Sequence, residues 1–207
     1  MEQYTLNANG LTCYRGDQCL FQALDFNVQS RQLLMIEGHN GSGKTSLLKL
    51  IAGLRSPDEG SLLWNGEAID KTSSQYRQQL AYVGHNDGVK RELTVLENLR
   101  LMQQLFTPSS HSCHDILQQL NLVVQQDSLA GTLSAGQRRR VALARALYSQ
   151  TKLWILDEPF TALDKATHEF FLEALQQHLI QDGLAVMTSH HDVNLPGVSI
   201  QRLELQT

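Results

Sequence analysis

The stretch Gly38-His39-Asn40-Gly41-Ser42-Gly43-Lys44-Thr45 constrains this chain more than any other. It has glycine at its first and sixth places, then lysine, then threonine, which is the pattern of a phosphate-binding loop. Leu33-Leu34-Met35-Ile36 before it is a short apolar run that suits a buried strand. Thr45 to Ala52 after it reads as a helix with Leu47, Leu48 and Ile51 turned inward, and Gly53 is placed to cap it. Glycines let a backbone turn tightly and approach an anion with no Cβ in the way. The amides of such a loop and the start of the following helix surround phosphate oxygens with partial positive charge. Lys44 adds a full charge near the β- and γ-phosphates, and the Thr45 hydroxyl suits Mg²⁺. The four fixed places coincide by accident in roughly one chain of this length per hundred. The segment is therefore read as a nucleoside-triphosphate site comprising Gly38, His39, Asn40, Gly41, Ser42, Gly43, Lys44, Thr45 and Ser46.

A chain of 207 residues is long enough for one sizeable domain with a small inserted lobe. Its formal net charge of −4 argues against a sequence-independent nucleic-acid binder, which shows a basic excess. No apolar run approaches the roughly 18 residues of a membrane span. Met1 to Gly10 lacks the basic start and apolar core of an export signal. Cys13, Cys19 and Cys113 are odd in number, and free thiols in a reducing cytosol are expected. Membrane contact would then come through a partner.

Residues 4–36 read as strands and turns, with Leu24, Phe26 and Val28 alternating against Asp25 and Asn27. Tyr14 falls in a turn-like stretch about thirty residues before Lys44. An aromatic there suits stacking on a nucleotide base, although an ordinary half-exposed strand tyrosine explains the residue equally well. Asn65-Gly66 is a hairpin-type turn. Leu80 to Val83 is a short strand followed by the polar loop Gly84-His85-Asn86-Asp87-Gly88. Thr94 and Glu97 make a capping box that opens a helix with Leu96, Leu99, Met102 and Leu105 on one side. Cys113 to Leu120 is a second short helix. Residues 90–130 thus read as a helical lobe inserted in an α/β chain, and the helical subdomain extends over about 90–148 when the next helix is included. Ser134 and Gln137 form the capping box of that helix, which runs to about Tyr148. Leu153 to Leu156 is a buried strand ending in Asp157 and Glu158, and acids at the carboxyl end of a parallel strand suit metal and base chemistry. Asp164 caps a helix through about Ile180, Leu184 to Thr188 is a strand with Ser189-His190-His191 at its end, and a last strand lies around Val198 to Leu205. Alternating strands and helices mean a mostly parallel sheet covered by helices.

Together these segments resemble an ATP-binding-cassette (ABC) ATPase. Leu133-Ser134-Ala135-Gly136-Gln137 looks like the signature motif of that family, and Leu153-Trp154-Ile155-Leu156-Asp157-Glu158 looks like its second nucleotide motif. The resemblance covers the whole chain as one cassette, 1–207. It implies an α/β P-loop NTPase fold with a mostly parallel sheet core, N-terminal antiparallel strands and the inserted helical lobe. It implies ATP and Mg²⁺ as cofactors, with Asp157 holding Mg²⁺ through water and Glu158 as the general base for the attacking water. By the same resemblance His190 touches the γ-phosphate, Tyr14 stacks on the base, and Ala162-Leu163-Asp164 contacts a second cassette. Ser134, Gly136 and Gln137 are placed on the ATP of the other subunit, so two copies of this chain sandwich two nucleotides.

His85 stands where most cassettes carry a glutamine near Mg²⁺ and the attacking water. A neutral histidine offers one donor and one acceptor, so His85 is read as catalytic and as a metal neighbour; the alternative is a loop histidine beside the site. Tyr82-Val83-Gly84-His85, the run from Ser134 to Arg145, and Trp154 to Thr161 resemble the ATP-binding subunit of the cytochrome c maturation system, the haem exporter ATPases. The short chain without an appended regulatory domain fits that group. The resemblance implies work on the cytoplasmic face of the bacterial inner membrane with multi-spanning partners, which dock on the helical lobe and the His85 loop. An apolar strip within residues 89–106 is the candidate surface, and core packing explains the same residues as well. Two alternatives stay open: the ATPase of another transporter, and a soluble cassette or nucleotide-dependent switch. Glu158 argues against a binding-only switch. Arg138-Arg139-Arg140 points three ways on a helix and is not read as a nucleic-acid patch. His111-Ser112-Cys113-His114 lacks a second ligand cluster for a closed metal site. Cys13 and Cys19 make no haem-attachment pattern, so no direct haem binding is expected.

Overall fold

The computed structural model describes residues 3–70, 74–106, 112–189 and 192–205. Two sheets share the chain. Strands β1 (Thr5–Arg15), β2 (Gln18–Gln29), β4 (Glu59–Trp64) and β5 (Glu67–Ala68) form an antiparallel sheet in the order β2-β1-β4-β5. Strands β3 (Gln32–Glu37), β6 (Leu80–Val83), β7 (Leu153–Asp157), β8 (Leu184–Thr188) and β9 (Ser199–Glu204) form a second sheet, β6-β7-β8-β3-β9, in which every pairing is parallel. The α/β architecture expected from the sequence is therefore present, with the N-terminal antiparallel strands gathered in a sheet of their own.

The central strands are apolar on both faces, as buried parallel strands must be. Alternation sends Leu34, Ile36, Ile155 and Val186 into one core, against helix α1 (Lys44–Ile51) and the antiparallel sheet. It sends Leu33, Met35, Trp154, Leu156 and Met187 into the other. That second core packs α5 (Ala135–Tyr148), α6 (Lys165–Ile180) and the lobe built on α3 (Val95–Leu105) and α4 (Cys113–Gln119). A one-turn helix, α2 (Ser74–Gln78), leads into β6.

Local chemistry sets the element ends. Helix α1 closes in a Schellman arrangement, with Gly53 N donating to Leu50 O (3.0 Å) and Leu54 N to Lys49 O (2.9 Å). Helices α3 and α5 open in the capping boxes expected of Thr94/Glu97 and Ser134/Gln137, and α4 opens in a third, Ser112/Asp115. Asn65 and Gly66 both take positive φ in the β4–β5 turn, as the hairpin reading requires.

Two details differ from expectation. Tyr14 lies in strand β1, opposite Cys19, rather than in a turn, because the reversal is made by Gly16 and Asp17, after the strand ends at Arg15. On α3 the buried face includes Asn98, while Leu105 is 72% exposed. Asn98 is drawn inward because its amide bonds the preceding loop, accepting from Lys90 N (2.8 Å) and donating to Lys90 O and Thr94 O (both 2.9 Å).

Candidate functional site

The phosphate loop joins β3 to α1 and opens on a cleft of about 340 Å³. Asn40, Gly41, Gly43, Lys44, Thr45 and Ser46 line it from the loop. His85, Asp157 and Glu158 line it from the carboxyl ends of β6 and β7, and Arg15 and Leu20 from the β1–β2 hairpin. Among the described residues no side chain caps α1, which leaves its first-turn amides for an anion. Gly43 holds φ +100°, and a Cβ there would lie 3.0 Å from Leu20 Cβ and 3.1 Å from the Phe21 ring, so the hairpin closes directly on the loop. Lys44 Nζ donates to Gly38 O (2.7 Å) and His39 O (3.1 Å), which aligns the amine along the loop.

The acids are set by a relay of short contacts. Thr45 Oγ1 donates to Asp157 Oδ2 (2.9 Å), and Thr188 Oγ1 donates to Asp157 Oδ1 (2.9 Å). The same Thr188 oxygen accepts from Glu158 N (2.9 Å), and Thr188 O accepts from that amide at 3.2 Å. Glu158 takes φ +51°, a left-handed conformation that a glutamate adopts only when its surroundings impose it. The half-buried Glu158 thereby turns out of β7 into the cleft. Thr45 and Asp157 present two hard oxygen donors beside a phosphate loop. That donor set suits Mg²⁺ completed by phosphate oxygens better than a cage made wholly of protein. No group of three or more His, Cys, Asp or Glu gathers among the described residues.

Not every expected residue faces this cleft. Tyr14 is outside the lining set; its N–H donates to Asp58 Oδ2 (2.7 Å), and its carbonyl accepts from Arg55. His190 lies outside the described residues. Ser134, Gly136 and Gln137 sit at the start of α5, away from the cleft. Gly136 is placed so that a Cβ would meet Ala162 O at 2.4 Å, which only glycine accommodates. The Asp164 carboxylate caps α6, accepting from Thr167 N (2.9 Å), and pairs with Arg140 (3.3 Å). The Thr167 hydrogen bond, chiefly, holds its pKa below the usual range.

Sequence reasoning passed over Thr188, Asn98, Arg15 and Arg139. Thr188 stood at a strand end with nothing to mark it. Arg139 was hidden inside a run of three arginines, all of which are spent on the protein itself. Arg138 Nε pairs with Asp87 (3.3 Å), Arg139 bonds three backbone carbonyls, and Arg140 Nη1 donates to Leu120 O and Asn121 O (both 3.1 Å). His114 contacts Gln118 (3.1 Å) and Cys113 Sγ donates to Gln103 Oε1 (3.3 Å), and His111 lies outside the described residues. The three cysteines are free.

A phosphate loop under a hairpin, with two acids at the end of the adjoining strand and a capped signature-like helix, is the arrangement of a nucleotide-binding cassette. The family model described as ABC transporter matches residues 21–161, and the chain belongs to that family. Within it, the chain belongs with the proteins called cytochrome c biogenesis ATP-binding export protein CcmA. The one from Haemophilus influenzae is 44% identical over 206 residues, covering 99% of this chain and 96% of the relative. The one from Nitrosospira multiformis is 44% identical over 203 residues, covering 97% and 98%. Among solved structures, an ATP-binding subunit of an ABC transporter superposes with a TM-score of 0.79 at 25% identity, covering 89% of this chain and 79% of the other. A dimeric post-hydrolysis cassette bound to ADP and Pi gives a TM-score of 0.80 at 23% identity, covering 98% and 97%, and shares the fold.

Proposed function

We propose that this chain is the ATP-hydrolysing subunit of a membrane export complex serving haem delivery in c-type cytochrome maturation. The set of contacts linking Thr45, Asp157, Thr188 and Glu158 beside the phosphate loop carries the hydrolytic reading, and the likeness to the CcmA export proteins carries its place in cytochrome c maturation. Phosphoryl transfer needs positioning and charge neutralisation more than covalent chemistry. The loop amides and Lys44 bind the β- and γ-phosphates. Thr45 and Asp157 would hold Mg²⁺, with His85 as its neighbour, and that ion would supply charge neutralisation at the phosphate oxygens. Glu158 takes a proton from the attacking water. His85 orients that water from the end of β6 beside the acids, His190 reaches the γ-phosphate, and Tyr14 stacks on the base at the outer edge of the hairpin.

The active unit is a homodimer in which Ser134, Gly136 and Gln137 cover the nucleotide of the other copy and Ala162-Leu163-Asp164 meets it. The whole chain, 1–207, acts as one cassette. No described helix is long and apolar enough to cross a membrane. On this reading the cassette works as a peripheral subunit on the cytoplasmic face of the inner membrane, under multi-spanning partners. The exposed Leu105 and Val124 of the lobe support docking there. Neither nucleic acid nor haem is a direct ligand on this reading.

Glu158→Gln tests it. The variant is expected to bind ATP, lose turnover and accumulate as an ATP-dependent dimer in sedimentation. A deletion strain rescued with it is expected to lack haem-stained c-type cytochromes while keeping b-type spectra. Normal c-type cytochromes would refute the maturation role, and absence of the dimer would count against the sandwich.

A further inference from the structure

We propose that Arg139 is a positioning residue that fixes the His85 loop and the Glu158 backbone to one another, so that displacement of the loop is felt at the base. This rests on the hydrolytic reading of Glu158 given above. Arg139 is 7% exposed, on α5 between the signature-like start of that helix and the sheet. Its Nη1 donates to Gly84 O (2.7 Å), its Nη2 to Asp157 O, and its Nε to Pro159 O (3.4 Å). Gly84 is the residue before His85, and Asp157 and Pro159 are the residues on either side of Glu158. A guanidinium is a rigid planar fork of donors. Three carbonyls bound to one fork cannot shift independently.

The neighbouring arginines extend the attachment. Arg138 holds Asp87, three residues beyond Gly84, and donates to Leu133 O at the foot of the signature-like segment. Arg145, two turns along the same face, donates to Tyr82 O (3.0 Å). The end of β6 and the loop after it are thus anchored to α5, and Arg139 also joins the loop to the end of β7. A second pocket of about 160 Å³ shares His85, Asp157 and Glu158 with the cleft, and Asp87, Arg138 and Arg139 also line it. Burial lowers the Arg139 pKa, and the charges of Asp157, Asp87 and Glu158 oppose that shift. A buried cation is a poor way to gain stability, because an apolar side chain of similar volume packs at no desolvation cost. Its place between three functional segments gives it a different use.

The test uses the full-length chain as wild type, Arg139→Gln and Arg139→Lys, with ATP affinity, steady-state turnover, thermal melting and amide exchange measured on each. Arg139→Gln is expected to melt cooperatively, to bind ATP within about threefold of wild type, and to lose at least tenfold in kcat. Amides of residues 85–87 are expected to exchange faster while those of β7 hold. Arg139→Lys, which keeps the charge but not the fork, is expected to recover part of kcat. Wild-type kcat in both variants overturns the proposal. Parallel loss of ATP affinity and kcat also overturns it, because that is the mark of a general packing role. If Arg139→Gln fails to fold, Arg139→Lys decides alone: reduced kcat at unchanged affinity supports the proposal, and wild-type kcat refutes it. A wild-type chain with no turnover sensitive to Glu158→Gln would instead remove the hydrolytic reading on which the proposal rests.

Discussion

Thr188→Val should uncouple nucleotide binding from turnover. Thr188 is fully buried, and its hydroxyl both donates to Asp157 Oδ1 and accepts from Glu158 N. Valine keeps the branched shape and suits the strand, so the change removes little besides those two bonds. A hydrogen bond to a charged group contributes about 1.5–3 kcal/mol, and a neutral one about 1 kcal/mol. The Glu158 amide retains its contact to Thr188 O, so the larger loss falls on Asp157. The left-handed Glu158 also loses part of what imposes its conformation, and such a conformation costs of order 1–3 kcal/mol. If 1.5–3 kcal/mol of ordering is lost where the transition state forms, kcat falls by about 10- to 150-fold at 1.36 kcal/mol per factor of ten. The phosphate loop is untouched, so ATP affinity should change by less than about threefold. Thr188→Ser keeps the hydroxyl and should stay within about threefold of wild-type kcat. Steady-state ATP hydrolysis, calorimetric nucleotide binding and urea unfolding on the three proteins check this. A folded Thr188→Val that turns over at the wild-type rate would show that the acids need no help from β8.

Three further perturbations have defined outcomes. His178 is stacked on Trp154 with ring centroids 4.2 Å apart, and its Nε2–H donates to Leu184 O; burial depresses its pKa from 6.5 to about 4. The unfolded chain takes up that proton first, so stability present above pH 6.5 is lost as pH falls toward 4, by about 3 kcal/mol. Denaturant midpoints of His178→Phe should show correspondingly less loss over that range than wild type. Asn98→Ala should cost about 2–4 kcal/mol by stranding the Lys90 backbone groups, lowering the melting temperature by about 5–15 °C. Gly136→Ala must displace Ala162 O and should cost about 1–3 kcal/mol in urea unfolding before any nucleotide is added.

How far the sequence was readable depended on whether a residue's partner lay nearby in the chain. The capping boxes at Thr94 and Ser134, the Asn65-Gly66 turn and the Gly53 closure are local, and all form as their spacing implied. The central strands were legible because buried parallel strands are apolar on both faces. Thr188 gave no signal: its importance comes from meeting Asp157 across a strand pairing 31 residues apart in sequence. Arg139 reaches Gly84 across 55 residues, and its neighbours disguised it as part of a charged face. Leu105 keeps the helical period of Asn98 and Met102 yet is exposed, because it is the last residue of α3, where burial of that face ends.

This cassette differs from a generic phosphate-loop fold in how its acids are held. The loop and its helix are built from local rules and would bind an anion on nearly any α/β frame. The acids are different: Asp157 is positioned by hydroxyls from α1 and β8, and the backbone on either side of Glu158 is held from α5. Each of those supports comes from a separate element, and α5 also carries the signature-like segment and anchors the His85 loop. Binding is therefore the robust property of this chain and hydrolysis the conditional one, since any shift of α5 against the sheet reaches Asp157, Pro159 and Gly84 through a single guanidinium. That asymmetry suits a subunit whose turnover answers to a partner, and it predicts that weakening α5 contacts will lower kcat well before it lowers ATP affinity.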